Sequence, residues 1–144
     1  MSSVRIAALL ALFGLAPHLC GAAETLSFDG LYKSVGVLGL QYGDRALALR
    51  GQAVTMRGYM APPLKPESRF FVLTREPVAI CPFCSSDAEW PADIVVIYLK
   101  SALAPRNLSQ RVEVAGRLEI GSWNDPQTGF VSQVRLLDAD LRSP

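Results

Sequence analysis

Histidine is almost missing from this chain, with one residue, His18, in 144. His18 lies in an N-terminal stretch with the anatomy of a secretory signal, so the exported protein would have no imidazole for acid–base catalysis or metal ligation. Without histidine or an evident lysine base, the polar neighbours Ser85, Ser86, Asp87 and Glu89 give no hydrolase triad. The glycine-rich residues 36–43 lack the lysine of a nucleotide-binding loop. Clustered charge is missing too: 14 basic residues face 13 acidic ones, and the arginines are spread singly from Arg45 to Arg142. That balance argues against nucleic acid or an anionic membrane surface as partner. The apolar run at residues 6–15 is shorter than the roughly 20 residues a membrane-spanning helix needs.

What the N-terminus does have is Arg5, that apolar run, and the small residues Gly21-Ala22-Ala23 before Glu24. This is the pattern of a signal peptide covering residues 1–23, cleaved after Ala23, and it predicts a periplasmic or secreted protein with no integral membrane segment after cleavage. Cys20 follows Leu19 rather than a small residue, which disfavours lipidation. Cleavage would leave 121 residues with no net formal charge. That length suits one domain with a core of its own, independent of disulfides.

Residues 24–50 read as an N-terminal helical or linker segment. Phe28, Leu31, Tyr32 and Val35 fall at i, i+3, i+4 and i+7, with Ser27 placed to cap a helix and Gly36 to end it. Such a stripe suits a helix packed over an open end of the domain, and residues 44–50 have room for one or two further turns. From residue 51 to 144 the period changes to two. Val54, Met56, Gly58 and Met60 share a face, so both methionines are expected in the core rather than as thioether ligands. Residues 69–74 and 94–99 are apolar on both faces, the second central; residues 78–80 extend the first of these two. After a short helical connection within 101–110, Val112, Val114, Gly116, Leu118 and Ile120 share a face. A loop at 121–128 then makes a hairpin with residues 129–137.

Two segments echo each other: residues 54–60 and 112–118 both read V-x-Φ-x-G-x-Φ, where Φ is aliphatic or Met. A glycine inside a strand marks a bend or a close backbone approach, which places these two strands side by side. The expected class is all-β with short helices, a small OB-like five-stranded barrel preceded by the N-terminal helical segment. Tyr59 and Trp123 would line its binding face.

Over residues 51–141 the motifs G-x-x-V-T-x-x-G-Y-M-A-P-P-L, F-F-V-L-T, a cysteine, I-V-V-I-Y-L and V-E-V-A-G-R-L resemble a family of uncharacterised bacterial exported proteins known only as a domain of unknown function. The resemblance implies a periplasmic transport or metal-handling context, with an ABC transporter or another periplasmic protein as the expected partner. Members carry Cys-x-His and a proline run after the second strand. This chain instead has Cys81-Pro-Phe-Cys84, which removes the histidine from any inherited ligand set.

Cys81 and Cys84 admit three readings. In an oxidising compartment they would pair, although a loop of roughly four residues gains only about 2 kcal/mol from closure. As metal ligands they would need help from Asp87, Glu89 or a second chain to hold Zn, whereas Cu(I) accepts low coordination by thiolates. As a thiol–disulfide oxidoreductase site they would need Cys81 at a helix N-terminus. Ile94 follows too soon for a crossover helix of a dozen residues. The functions that remain are a non-enzymatic periplasmic accessory protein with a metal-binding or stapled loop, the oxidoreductase, and an OB-like module binding a ligand or partner.

Overall fold

The computed structural model describes residues 22–36, 39–62, 69–79, 90–101 and 110–142. Eight strands account for most of them: β1 (Glu24–Thr25), β2 (Tyr32–Gly36), β3 (Gly39–Tyr42), β4 (Ala53–Met60), β5 (Phe70–Thr74), β6 (Ile94–Leu99), β7 (Arg111–Asn124) and β8 (Val131–Arg142). One helix, α1 (Asp44–Leu49), and a 3-10 turn at Phe28–Gly30 complete the order.

The alternation read from the sequence organises the sheet. Val54, Met56, Gly58 and Met60 of β4 are buried, as are Val112, Val114, Leu118 and Ile120 of β7. The two strands run antiparallel with Val54 opposite Gly116, Met56 opposite Val114 and Gly58 opposite Val112. Each motif therefore sets its valine against the other's glycine, large against small. The pairing continues from β4 to β5, β6, β8 and β7 and returns to β4. All these neighbours are antiparallel except β6 and β8, which run parallel.

Gly58 and Gly116 sit where strands approach closely. A Cβ on Gly58 would lie 2.5 Å from the Thr74 carbonyl oxygen, and one on Gly116 would lie 3.0 Å from that of Leu137. Opposite Gly116 the register shifts between Ala115 and Arg117, and Asp138 of β8 takes up the extra residue with φ 50°. Aspartate tolerates that left-handed conformation better than most residues.

The core joins inward residues of every strand of the circuit to Leu26, Phe28, Leu31 and Leu49 from the N-terminal segment. Burying each such side chain stabilises the fold by roughly 1.5–3 kcal/mol. β5 and β6 are apolar on both faces because a second layer covers them outside, where Ala61, Val72 and Ile94 pack with Val78 and Trp90.

Three expectations are corrected. The helical stripe at 28–35 forms only the 3-10 turn, after which the chain extends into β2. Leu31 gives its carbonyl to the Gly43 N–H (2.9 Å) and Tyr32 stacks on Tyr42 at 5.7 Å, so pairing with β3 replaces helical bonding. Phe28 and Leu31 are buried as a helix stripe would be, but Val35 is 62% exposed at the hairpin tip. Residues 121–124, expected in a loop, continue β7, because Trp123 packs edge-on to Tyr98 and draws the chain into the sheet. Val78 and Ala79 lie beyond β5 rather than extending it. The connection expected at 101–110 falls largely outside the described residues.

Gly58→Ala is expected to cost about 1–3 kcal/mol, because the Thr74 backbone oxygen has no flexible end to yield. Asp138→Gly should be neutral or gain up to about 1 kcal/mol, whereas Asp138→Val should destabilise. Urea denaturation midpoints at constant m-value check all three.

Candidate functional site

An open cleft of about 550 Å³ lies between the β2–β3 hairpin and the far ends of β7 and β8. Its side chains are Val35, Leu40, Tyr42, Trp90, Ser122 and Gln133, with Gly36, Gly39 and Gly121 supplying backbone. No lysine, arginine, aspartate or glutamate is among them.

The cleft is built around the backbone of one residue, Gly121. β7 bulges between Ile120 and Trp123, with Gly121 at φ 111°, a conformation that L side chains rarely adopt. The Gly121 N–H donates to the Tyr42 hydroxyl (3.0 Å), and the Gly121 carbonyl accepts from Arg135 Nη1 (2.9 Å). Tyr42 in turn directs its proton to Gln133, whose carbonyl and Oε1 lie at 3.1 and 3.2 Å. The Trp90 indole N–H donates to the Tyr32 hydroxyl at 2.8 Å, fixing the opposite wall to the base of the hairpin.

Arg135 is 7% exposed and lies beneath this arrangement. Its guanidinium bonds Glu119 at 3.1 Å and stands 5.1 Å from the Trp123 ring centroid. Burial pushes the Glu119 carboxyl upward, but hydrogen bonds from Arg117 and Arg135 outweigh it and hold the group below its usual value. The turn beyond is tied by Asp125, which accepts from the Gln127 N–H (2.9 Å) and from the Tyr98 hydroxyl (3.2 Å).

Tyr59 and Trp123, expected on one binding face, are not brought together. Tyr59 pairs with Arg111 at the start of β7, and Trp123 pairs with Ser132 near its end. Roughly 40 Å of strand separates the two positions at about 3.3 Å per residue. Trp123 braces the underside of Arg135 instead, and the Tyr59 carbonyl accepts from Thr74 Oγ1. Cys81, Cys84, Asp87 and Glu89 lie outside the described residues. Among those described, no cluster of three or more His, Cys, Asp or Glu side chains could hold a metal. Tyr32, Tyr42, Trp90 and Gln133 went unidentified as site residues. A pair of tyrosines on either side of Gly36 and Gly39 was the available signal, since it marks the two arms of a hairpin.

Tyr32 and Tyr98 both have hydroxyl pKa values raised above the ordinary tyrosine value, chiefly by burial; Asp125 adds to the rise at Tyr98. In the unfolded chain they release protons near pH 10 while the folded chain still holds them. The folded state then binds more protons than the unfolded state, so stability falls as pH rises above about 10. Tyr98→Phe should flatten that alkaline slope in denaturation profiles between about pH 9 and 11.5. An unchanged slope would show that Tyr98 titrates alike in both states.

No family model and no curated protein matches the chain. None of the described helices is long and apolar enough to cross a membrane. Among solved structures, the fold is similar to that of a DUF3299 family protein from Pseudomonas aeruginosa PAO1. The two are 14% identical with a TM-score of 0.54, over 86% of this chain and 99% of that one. At that identity the likeness is one of fold, in agreement with an uncharacterised family of unknown function.

Proposed function

We propose that this chain is an exported, non-enzymatic accessory protein whose five-strand circuit is an OB-like barrel and which binds an uncharged ligand or partner group in the cleft beside the β2–β3 hairpin. The observation that carries this reading is the cleft lining: Tyr42 and Trp90 offer apolar rings, Ser122 and Gln133 offer hydrogen bonds, and among the described residues no acidic or basic side chain lines it. Aromatic rings with a few convergent polar groups are the usual make-up of a small-ligand site, and the volume falls within the usual range of about 300–1,000 Å³. The barrel reading is supported by the closed pairing order and by the parallel β6–β8 pair, which let the fifth strand of the circuit lie beside the third.

Cys81 and Cys84 remain proposed as a stapled or metal-binding loop of the same accessory protein. Trp90 follows Cys84 by six residues, so the loop and the cleft wall are neighbours in sequence.

The reading is tested on protein recovered from the periplasm. Intact mass should begin at Glu24; a retained Met1 or a lipid adduct at Cys20 would overturn export as a soluble protein. Tryptophan fluorescence is then followed during titration with neutral disaccharides and end-blocked tripeptides. Saturable binding is expected with one of these classes, weakened about tenfold or more by Tyr42→Ala or Trp90→Ala. No saturation with either class, or affinity indifferent to both substitutions, would overturn the cleft. Thiol counting and elemental analysis on the same sample settle the state of the cysteine pair.

A further inference from the structure

A second concavity lies at the other end of β7, where the strand circuit is incomplete. On the edge of β4 facing away from β7, β1 pairs with Val54 and Thr55, and β5 pairs only with Tyr59 and Met60. Thr55 turns its carbonyl to this edge, where it accepts the Leu26 N–H at 2.9 Å. Peptide groups alternate sides along a strand, so the N–H and C=O of Arg57 face the same edge. No described strand pairs with them there. The gap opens into a cleft of about 340 Å³ whose walls include Arg57, Arg75 and Arg111 with the hydroxyls of Thr25 and Ser27.

The three guanidinium groups retain donors for a ligand. Arg57 uses Nε on Glu113 (2.7 Å), and its two terminal nitrogens have no partner among the described residues. Arg75 uses Nη1 on Asp29 (2.6 Å) and stands 5.8 Å from the Phe28 ring centroid, which limits its wandering. Arg111 is exposed and has no hydrogen-bond or ion-pair partner among the described residues. The Ser27 hydroxyl makes no capping bond to the following turn. Asp29 and Glu76 also line the cleft, so three positive groups face two negative ones.

We propose that this gap binds one small oxyanion, a carboxylate or a phosphate. The Arg57 peptide N–H and the open guanidinium edges of Arg57 and Arg111 would donate to its oxygens. Planar guanidinium donors suit such oxygens, and charge-assisted bonds are about twice as strong as neutral ones. Asp29 and Glu76 in the lining, with Glu113 on Arg57, offset much of the guanidinium charge, which favours one compact anionic group over a polyanion.

The test is an amide NMR titration of the full chain with sodium phosphate and, separately, sodium acetate at constant ionic strength. The Arg57 and Gly58 amide signals are expected to shift and saturate with one or both salts; acetate saturation identifies a carboxylate site, and phosphate saturation alone a phosphate site. Arg111→Ala and Arg57→Gln should each weaken the site about tenfold, the loss of one charge-assisted bond. Arg117→Ala, an exposed arginine outside the cleft, should leave it unchanged. Thermal unfolding of each variant verifies that the fold is retained. Shifts that stay linear with both anions, or that respond equally to Arg117→Ala, would overturn the proposal.

Discussion

The incomplete pairing of β4 is the constraint on which the rest of the molecule depends. One edge of this strand is engaged by β7 along residues 53–59, whereas β5 reaches the other edge only at Tyr59 and Met60. The crossing is as tight as it is because Gly58 lets the Thr74 carbonyl come within a distance that any side chain would forbid. An edge left open over several residues would expose unpaired peptide groups to other chains. β1 answers part of that need by adding two parallel residues, and Leu26 follows with one more backbone bond. Because β1 is fixed there, Leu26, Phe28 and Leu31 enter the core and the hairpin emerges where Tyr42 can reach Gly121. The cleft beside the hairpin and the arginine gap both follow from how this one edge is filled.

Gly121 shows how a polar network can hold a cleft in shape. Both its N–H and its carbonyl are bound, one by Tyr42 and the other by Arg135, so neither backbone group of Gly121 is left unpaired at the bulge. An ion pair with one buried member, as buried Arg135 makes with half-buried Glu119, is weak evidence for stability, since desolvation offsets much of the attraction. Arg135 has further compensation: the carbonyl of Gly121 and the face of Trp123, the latter contact worth roughly 0.5–2 kcal/mol. Its contribution is best understood as fixing the geometry of β7 beneath the cleft, because three different partners must be satisfied at once.

Those parts of the fold that rest on strict alternation were legible from the sequence. The inward faces of β4 and β7 and the adjacency of the two glycine-bearing strands followed from period two and from the repeated motif. β6 was legible to its end residues because a continuous apolar run bounded by Asp93 and Lys100 admits few alternatives. The N-terminal hairpin was not: Phe28, Leu31, Tyr32 and Val35 fit a helical period, and only the tertiary stacking of Tyr32 on Tyr42 decides for an extended chain. Residues 121–124 were obscured by their turn-like composition, since the gain from packing Trp123 on Tyr98 is a contact between strands distant in sequence. The candidate cleft was hidden for the same reason. Tyr42, Trp90 and Gln133 carry no motif, and what joins them is a set of hydrogen bonds spanning the chain.

The hairpin is also the element with the least support of its own. A two-stranded sheet is marginal in water unless it packs on something larger, and here the packing is concentrated at its base. Tyr32 and Tyr42 anchor that base through Trp90, Gln133 and Gly121, while Lys33 and residues 34–36 of β2 are exposed. Stability within a fold is uneven, and segments with few buried contacts open at lower cost than the core. Val35 and Leu40 pair only with each other near the hairpin tip, so local opening there would leave the pairing of the strand circuit intact. A ligand entering the cleft would meet a floor at Gly121 and Gln133 that is held by hydrogen bonds, and a wall at Val35 and Leu40 that is not. Such a division lets the hydrogen-bonding groups stay preorganised while the apolar contacts adapt to the shape of what is bound.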